Sequence, residues 1–357
     1  MIDDGMETDA ATAAPEAPPN NEPEESPRGE DVAALADRLR AEIGRAIVGQ
    51  EDVVELLLVA LLSRGHGLFQ GVPGLAKTLL IQSLAKATRC AFSRIQFTPD
   101  LMPADITGTE FLEEDRTTGR RETRFVQGPV FANLVLADEI NRTPPKTQAA
   151  LLQAMQEGQV TASGHTYALP KPFLVFATQN PVEQEGTYPL PEAQLDRFMF
   201  LVEVDYPSEA EEITIVERTT GGTPEVLQPQ VTPEELTVLQ DEVLKVPAGP
   251  EIVKLAVELV RATRPGAAEE GSEIAAVTER WVAWGAGPRA SQFLILGGKA
   301  RALLHGRSAV DRSDIRALAR PVLGHRVLLN FRAQAEGVRT GDVVDELLAL
   351  VDPETPL

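Results

Sequence analysis

Residues 71–78 (GVPGLAKT) carry the residue types that a phosphate cradle needs. Such a cradle points backbone N–H groups inward at a helix N-terminus, which favours glycine. It also uses a lysine that reaches the terminal phosphates and a hydroxyl for Mg2+. Gly71, Gly74, Lys77 and Thr78 meet that list, after one apolar run and at the start of a helical one. Ala76 departs from the general pattern, which has glycine at this position; the methyl is tolerable if the residue is already helical. A glycine turn with a surface lysine would spell the same letters, so the run needs a second group to give it meaning.

That group lies 61 residues beyond Lys77, in NLVLADEI. Leu134, Val135, Leu136 and Ala137 read as a buried strand that delivers Asp138 and Glu139 at its carboxyl end. Asp138 can hold Mg2+ and Glu139 can act on an attacking water as general base. In FLVFATQN, Asn180 ends another apolar run; it either orients water near a phosphate or forms a turn before Pro181. In PEAQLDRF, Arg197 has two readings. Its planar fork can reach a neighbouring subunit's nucleotide, or it can pair locally with Asp196 or Glu192. In GPRAS, Arg289 opens a helix, where the dipole favours anions, so it is either a phosphate ligand or a plain surface arginine.

These residues need a frame. Apolar runs at about 67–70, 91–97, 133–137, 173–178 and 198–204 read as five strands, mostly separated by helical stretches, which predicts a parallel sheet with helices on both faces. The first helices are expected from residue 31 and over 50–62. Two insertions, 106–128 and 158–170, read as hairpins turning near Thr118-Gly119 and Ser163-Gly164. Beyond residue 207 strand signals fade, and helical patterns over 251–262, 289–304 and 313–323 predict an all-helical second domain. The expected division is an acidic disordered tail over 1–30, an αβα domain over 31–207 and a helical domain over 208–357.

The formal net charge of −21 includes −8 from residues 1–30, leaving the rest acidic as well. Such a surface repels nucleic-acid phosphates and disfavours DNA or RNA as a partner. The lone cysteine, Cys90, makes no internal disulfide and reads as a buried thiol. His66, His165, His305 and His325 have no metal-ligand spacing, and no serine sits in a G-x-S-x-G context. Trp281 and Trp284 read as packing. With neither a signal peptide nor a membrane segment in view, the expectation is a cytoplasmic protein.

In this order, the runs resemble an AAA+ ATPase module. In detail they are similar to the MoxR family: IVGQ at 47–50, GVPGLAKT with its alanine, ADEINRTPPKTQAALLQAMQEGQV, ATQNPVEQEGTYPLPEAQLDRF and GPRAS. The likeness covers roughly residues 30–345. It implies a P-loop αβα sandwich with a five-stranded parallel sheet, then a helical AAA+ lid. Gly71, Val72, Pro73, Gly74, Leu75, Ala76, Lys77, Thr78 and Leu79 would form Walker A around ATP, with Ile47, Val48 and Gly49 near the adenine. Asp138 and Thr78 would hold Mg2+, Glu139 would be catalytic, and Asn180, Arg197 and Arg289 would be sensor 1, the arginine finger and sensor 2. The hairpins match the inserts of the helix-2-insert clade. Arg142 also matches, without an assignable role. The family implies a homo-oligomeric ring, usually a hexamer, that hydrolyses ATP to remodel protein clients, often with a von Willebrand factor A-domain partner. A magnesium-chelatase motor subunit, a nucleotide-gated scaffold and a nucleic-acid motor are the competing readings.

Overall fold

The computed structural model describes residues 29–72, 74–114, 121–162, 164–180, 186–221 and 226–353. The acidic tail through residue 28, Pro73 and the two hairpin turns at 118–119 and 163 lie outside these. Helices α1 (Gly29–Ala46) and α2 (Glu51–Leu62) lead into β1 (Gly67–Gln70), α3 (Lys77–Ala87) and β2 (Phe92–Gln96). Next, α4 (Pro103–Thr107) opens an antiparallel hairpin of β3 (Gly108–Glu114) and β4 (Arg121–Gln127). After β5 (Leu134–Asp138) and α5 (Pro145–Glu157) comes a second hairpin, β6 (Gln159–Ala162) with β7 (His165–Ala168). β8 (Leu174–Gln179), α6 (Glu192–Leu195) and β9 (Phe200–Glu203) complete the sheet domain.

The remaining helices are α7 (Glu209–Gly221), α8 (Pro233–Lys245), α9 (Pro250–Ala262), α10 (Glu273–Trp281), α11 (Pro288–Leu304), α12 (Arg312–Leu323), α13 (Phe331–Glu336) and α14 (Thr340–Val351). One short antiparallel pair, β10 (Val282–Trp284) with β11 (Leu328–Leu329), interrupts a region expected to be helical throughout. Val282 is extended where α10 ends, and the β-prone VAW run continues from it.

Five parallel strands run in the order β2-β5-β8-β1-β9. Because successive side chains point to opposite faces, each strand feeds two cores. Val135, Ala137, Val175 and Ala177 join Leu151, Leu152 and Met155 of α5 on one face. Phe69, Leu136, Phe176 and Phe200 join α1, α2 and α3 on the other. That second cluster continues without a break into α8, α9, α11, α12 and α14, so the helical region shares a core with the sheet. α7 is the exception, with no buried residue along its length.

Two local features bear on stability. Ala76 precedes α3 at φ 55°, ψ 17°, in the left-handed region. The expectation that its methyl sits in a residue already helical is therefore corrected. The chain turns left-handed to aim α3 at the loop, where glycine would be less strained. His66 is half-buried between α2 and β1, its Nδ1 accepting from the Val175 N–H (3.0 Å) and its Nε2 3.3 Å from the Met155 carbonyl. Burial pushes its pKa down to about 4, against a weaker opposing effect of the Met155 carbonyl.

Ala76→Gly is expected to stabilise the fold by about 0.5–1 kcal/mol, the relieved strain exceeding the entropy that glycine adds to the unfolded chain. Chemical denaturation measures it; a destabilised variant refutes the strain. For His66, the unfolded state takes up a proton below pH 6.5 that the folded state refuses until about pH 4. The stability is thus complete above pH 6.5 and lost as pH falls to 4, by roughly 3 kcal/mol in full. Comparing denaturation midpoints of wild type and His66→Gln at pH 7, 6 and 5 isolates this slope from that of His325, also held neutral by burial.

Candidate active site

Parallel strands gather ligands at their carboxyl edge, and here three of them deliver polar groups to one place. β1 runs into the 71–76 loop, β5 ends on Asp138, and β8 leads to Asn180. Together they line a cavity of about 440 Å³ with Gly71, Gly74, Leu75, Ala76, Lys77, Thr78, Leu79, Asp138, Glu139 and Asn180. α3 enters it with no side-chain cap and no acidic residue in its first turn, so its first N–H groups face the cavity unmet by carboxylate. At Gly71 a Cβ would stand 2.7 Å from the Val204 carbonyl, so the loop can pass only as glycine. Gly74 has φ +90°.

Lys77 folds back on its own loop, Nζ donating to the carbonyls of Gly71 (2.5 Å) and Val72 (2.9 Å). Burial lowers its pKa, while Asp138 and Glu139 hold the charged form against that pull. Across the cavity, the Thr178 hydroxyl donates to Asp138 Oδ1 (2.6 Å) and accepts from the Glu139 N–H (2.8 Å). Arg94 Nη2 donates to Asp138 Oδ2 (2.6 Å). Gln96 Nε2 donates to Glu139 Oε2 (2.9 Å), and Arg142 Nε lies 3.3 Å from the same oxygen. Glu139 itself turns left-handed, φ 57° and ψ 48°, which swings it off the strand direction beside Asp138.

An uncapped helix start, a cation at its mouth, a hydroxyl and a paired carboxylate suit a nucleotide triphosphate and a magnesium ion. Thr78 and Asp138 are the pair that would hold the metal.

Not every expected residue reaches this cavity. Ile47 is buried, Val48 half-buried, and Gly49 has φ +67° with Glu211 packed against it; none lines the cavity, and neither does Val72. Pro73 lies outside the described residues. Every described residue lining the cavity belongs to the sheet domain. Arg197 donates from Nη1 to the Leu152 carbonyl (2.7 Å), not to Asp196. Asp196 instead takes Arg289 (3.1 Å) and Arg326 (2.8 Å), so Arg289 is held to the residue before Arg197 and off the cavity. Sequence reasoning missed Thr178, Arg94, Gln96 and Arg326. The signals were there: a hydroxyl within a buried strand, and charged or polar residues inside the β2 run, each needing a partner.

Residues 66–200 match the family model described as ATPase family associated with various cellular activities (AAA), and residues 274–347 match an AAA lid domain. The chain is 43% identical over 345 residues to Chaperone MoxR1 of Mycobacterium tuberculosis, covering 96% of this chain and 87% of the relative. It is 33% identical over 340 residues to Protein MoxR of Methylorubrum extorquens, covering 91% and 96%. A crystal structure from Cytophaga hutchinsonii superposes with a TM-score of 0.82 at 40% identity, over 90% of this chain and 95% of that one. With the phosphate loop and the twin acids on one sheet edge, the chain belongs to the MoxR family of AAA+ ATPases.

Proposed function

We propose that this chain hydrolyses ATP to ADP and phosphate in a ring, usually hexameric, and uses the cycle to remodel protein clients. One observation carries the hydrolytic reading: a single threonine hydroxyl holds both acids of Asp138-Glu139 in the cavity that Lys77 enters. The N–H groups of residues 74–79 and Lys77 bind the phosphates, and Lys77 must leave the Gly71 and Val72 carbonyls to do so. Thr78 and Asp138 hold Mg2+, which when bound offsets charge on the phosphate oxygens. Glu139 takes the proton of the attacking water on its carboxylate, and Asn180, 8% exposed at the end of β8, orients that water. Ile47, Val48 and Gly49 flank the adenine.

Arg197 and Arg289, both away from their own cavity, act on the next subunit's nucleotide. The boundary between sheet domain and lid falls near residue 207. The relative named a chaperone supports a protein client, and Met102, Phe111 and Val126, all exposed on or beside the first hairpin, offer apolar contacts to it. A von Willebrand factor A-domain protein is the proposed partner. The reading assigns the chain to the cytoplasm; among the described residues no helix is long and apolar enough to cross a membrane.

Phosphate release from the purified chain tests the hydrolytic reading. Lys77→Ala is expected to abolish nucleotide binding, and Glu139→Gln to keep it while lowering turnover about 100-fold or more; full turnover in Glu139→Gln removes the assigned base. Arg197→Ala subunits mixed with Glu139→Gln subunits test the trans role. Mixed rings should restore turnover at sites whose own Glu139 and neighbouring Arg197 are both intact, above the sum of the separate rates. Activity that merely scales with dilution refutes the role.

A further inference from the structure

Arg326 follows α12 in the lid, its side chain only 2% exposed, and it reaches across to the segment that carries Arg197. Its Nε donates to Asp196 Oδ1 (2.8 Å). Nη2 donates to the carbonyls of Asp196 (2.9 Å) and Phe198 (2.6 Å), and Nη1 to those of Met199 (3.2 Å) and Val322 (2.5 Å). The guanidinium lies 5.0 Å over the Phe293 ring of α11. His325, the preceding residue, sits with Nε2 3.0 Å from the Phe198 carbonyl. Burial pulls the Arg326 pKa down, to about 10, and Asp196 opposes that pull, so the group is a cation at neutral pH.

A buried ion pair can serve only to anchor a lid, but this one grips an unusual place. Residues 196, 198 and 199 are each held by Arg326, and residue 197 between them projects its side chain elsewhere. Arg289, the other arginine proposed to act in trans, is fixed to the second oxygen of the same Asp196. A planar, rigid fork transmits its own position to every acceptor it touches, where a lysine would hold one or two.

We infer that Arg326, through Asp196 and the backbone on both sides of Arg197, is a positioning residue for the trans arginines. It makes the set of the lid determine where Arg197 stands for the neighbouring subunit. The inference rests on the proposed trans role of Arg197.

The test is a double-mutant cycle on assembled rings, reading kcat and, separately, the Kd for a fluorescent ATP analogue. Arg326→Lys keeps the charge and loses the fork. Asp196→Asn keeps an acceptor for Nε and loses the charge, and serves if Arg326→Lys does not melt cooperatively. Each should lower kcat by about tenfold while nucleotide Kd stays unchanged, since a displaced group costs rate without loss of binding. In a background carrying both Arg197→Ala and Arg289→Ala the same substitutions should lower kcat no further. A loss that multiplies with that double substitution, or that appears equally in nucleotide Kd, overturns the positioning role and leaves the trans role standing. If Arg197→Ala alone leaves kcat intact, the trans reading falls, and with it the premise of this inference.

Discussion

Two neighbouring carboxylates at the end of a buried strand repel each other, and the arrangement of the site depends on how that repulsion is managed. Asp138 continues the strand and Glu139 turns left-handed out of it. The Thr178 hydroxyl spans the two, giving its proton to Asp138 and receiving the Glu139 amide. Arg94 and Gln96 from β2 then meet the outer oxygens, one on each acid. A hydroxyl has one donor, so its orientation is settled by the pair it joins. The strands must therefore lie in the order β2-β5-β8, with β5 between the two that supply its donors.

The same sheet ties chemistry to mechanics. One apolar cluster runs from α1, α2 and α3 across the sheet face into most helices of the lid. The lid is therefore packed, not hinged on a bare linker, and tight interiors pass displacement on. Polar bridges run along the same seam. Glu55 of α2 meets Arg301 of α11 at 2.8 Å, and Arg301 meets the fully buried Asp314 of α12 at 2.9 Å. Asp314, the fully buried member, would lose a compensating charge if either α11 or its arginine moved away.

Much of this was legible in the sequence, for a physical reason. The five strands, both hairpins and the residues from Lys77 to Glu139 are local patterns: an apolar run, then a glycine or an acid that must sit at its end. What stayed hidden depends on register between distant segments. Thr178 reads as one more strand residue until β8 is laid beside β5, 40 residues away in sequence from Asp138. Arg326 reads as a surface arginine until α12 docks, 130 residues from Asp196. Ala76 misled for a different cause, because letters do not reveal a positive φ. Arg289 was singled out for its odd place at a helix start, and the partner it meets in the structure is a carboxylate of the sheet domain.

α7 stands apart from all of this. Thirteen residues long and without a buried side chain, it touches the body through Arg218 on the carbonyls of Gly44 and Arg45 and through Glu211 against Gly49. A helix of that length is marginal in water on its own. With so little of it buried, changes along it are expected to register in amide exchange before they register in melting. The segment preceding α2 thus has beside it an element that contributes no buried side chain to the core of the molecule.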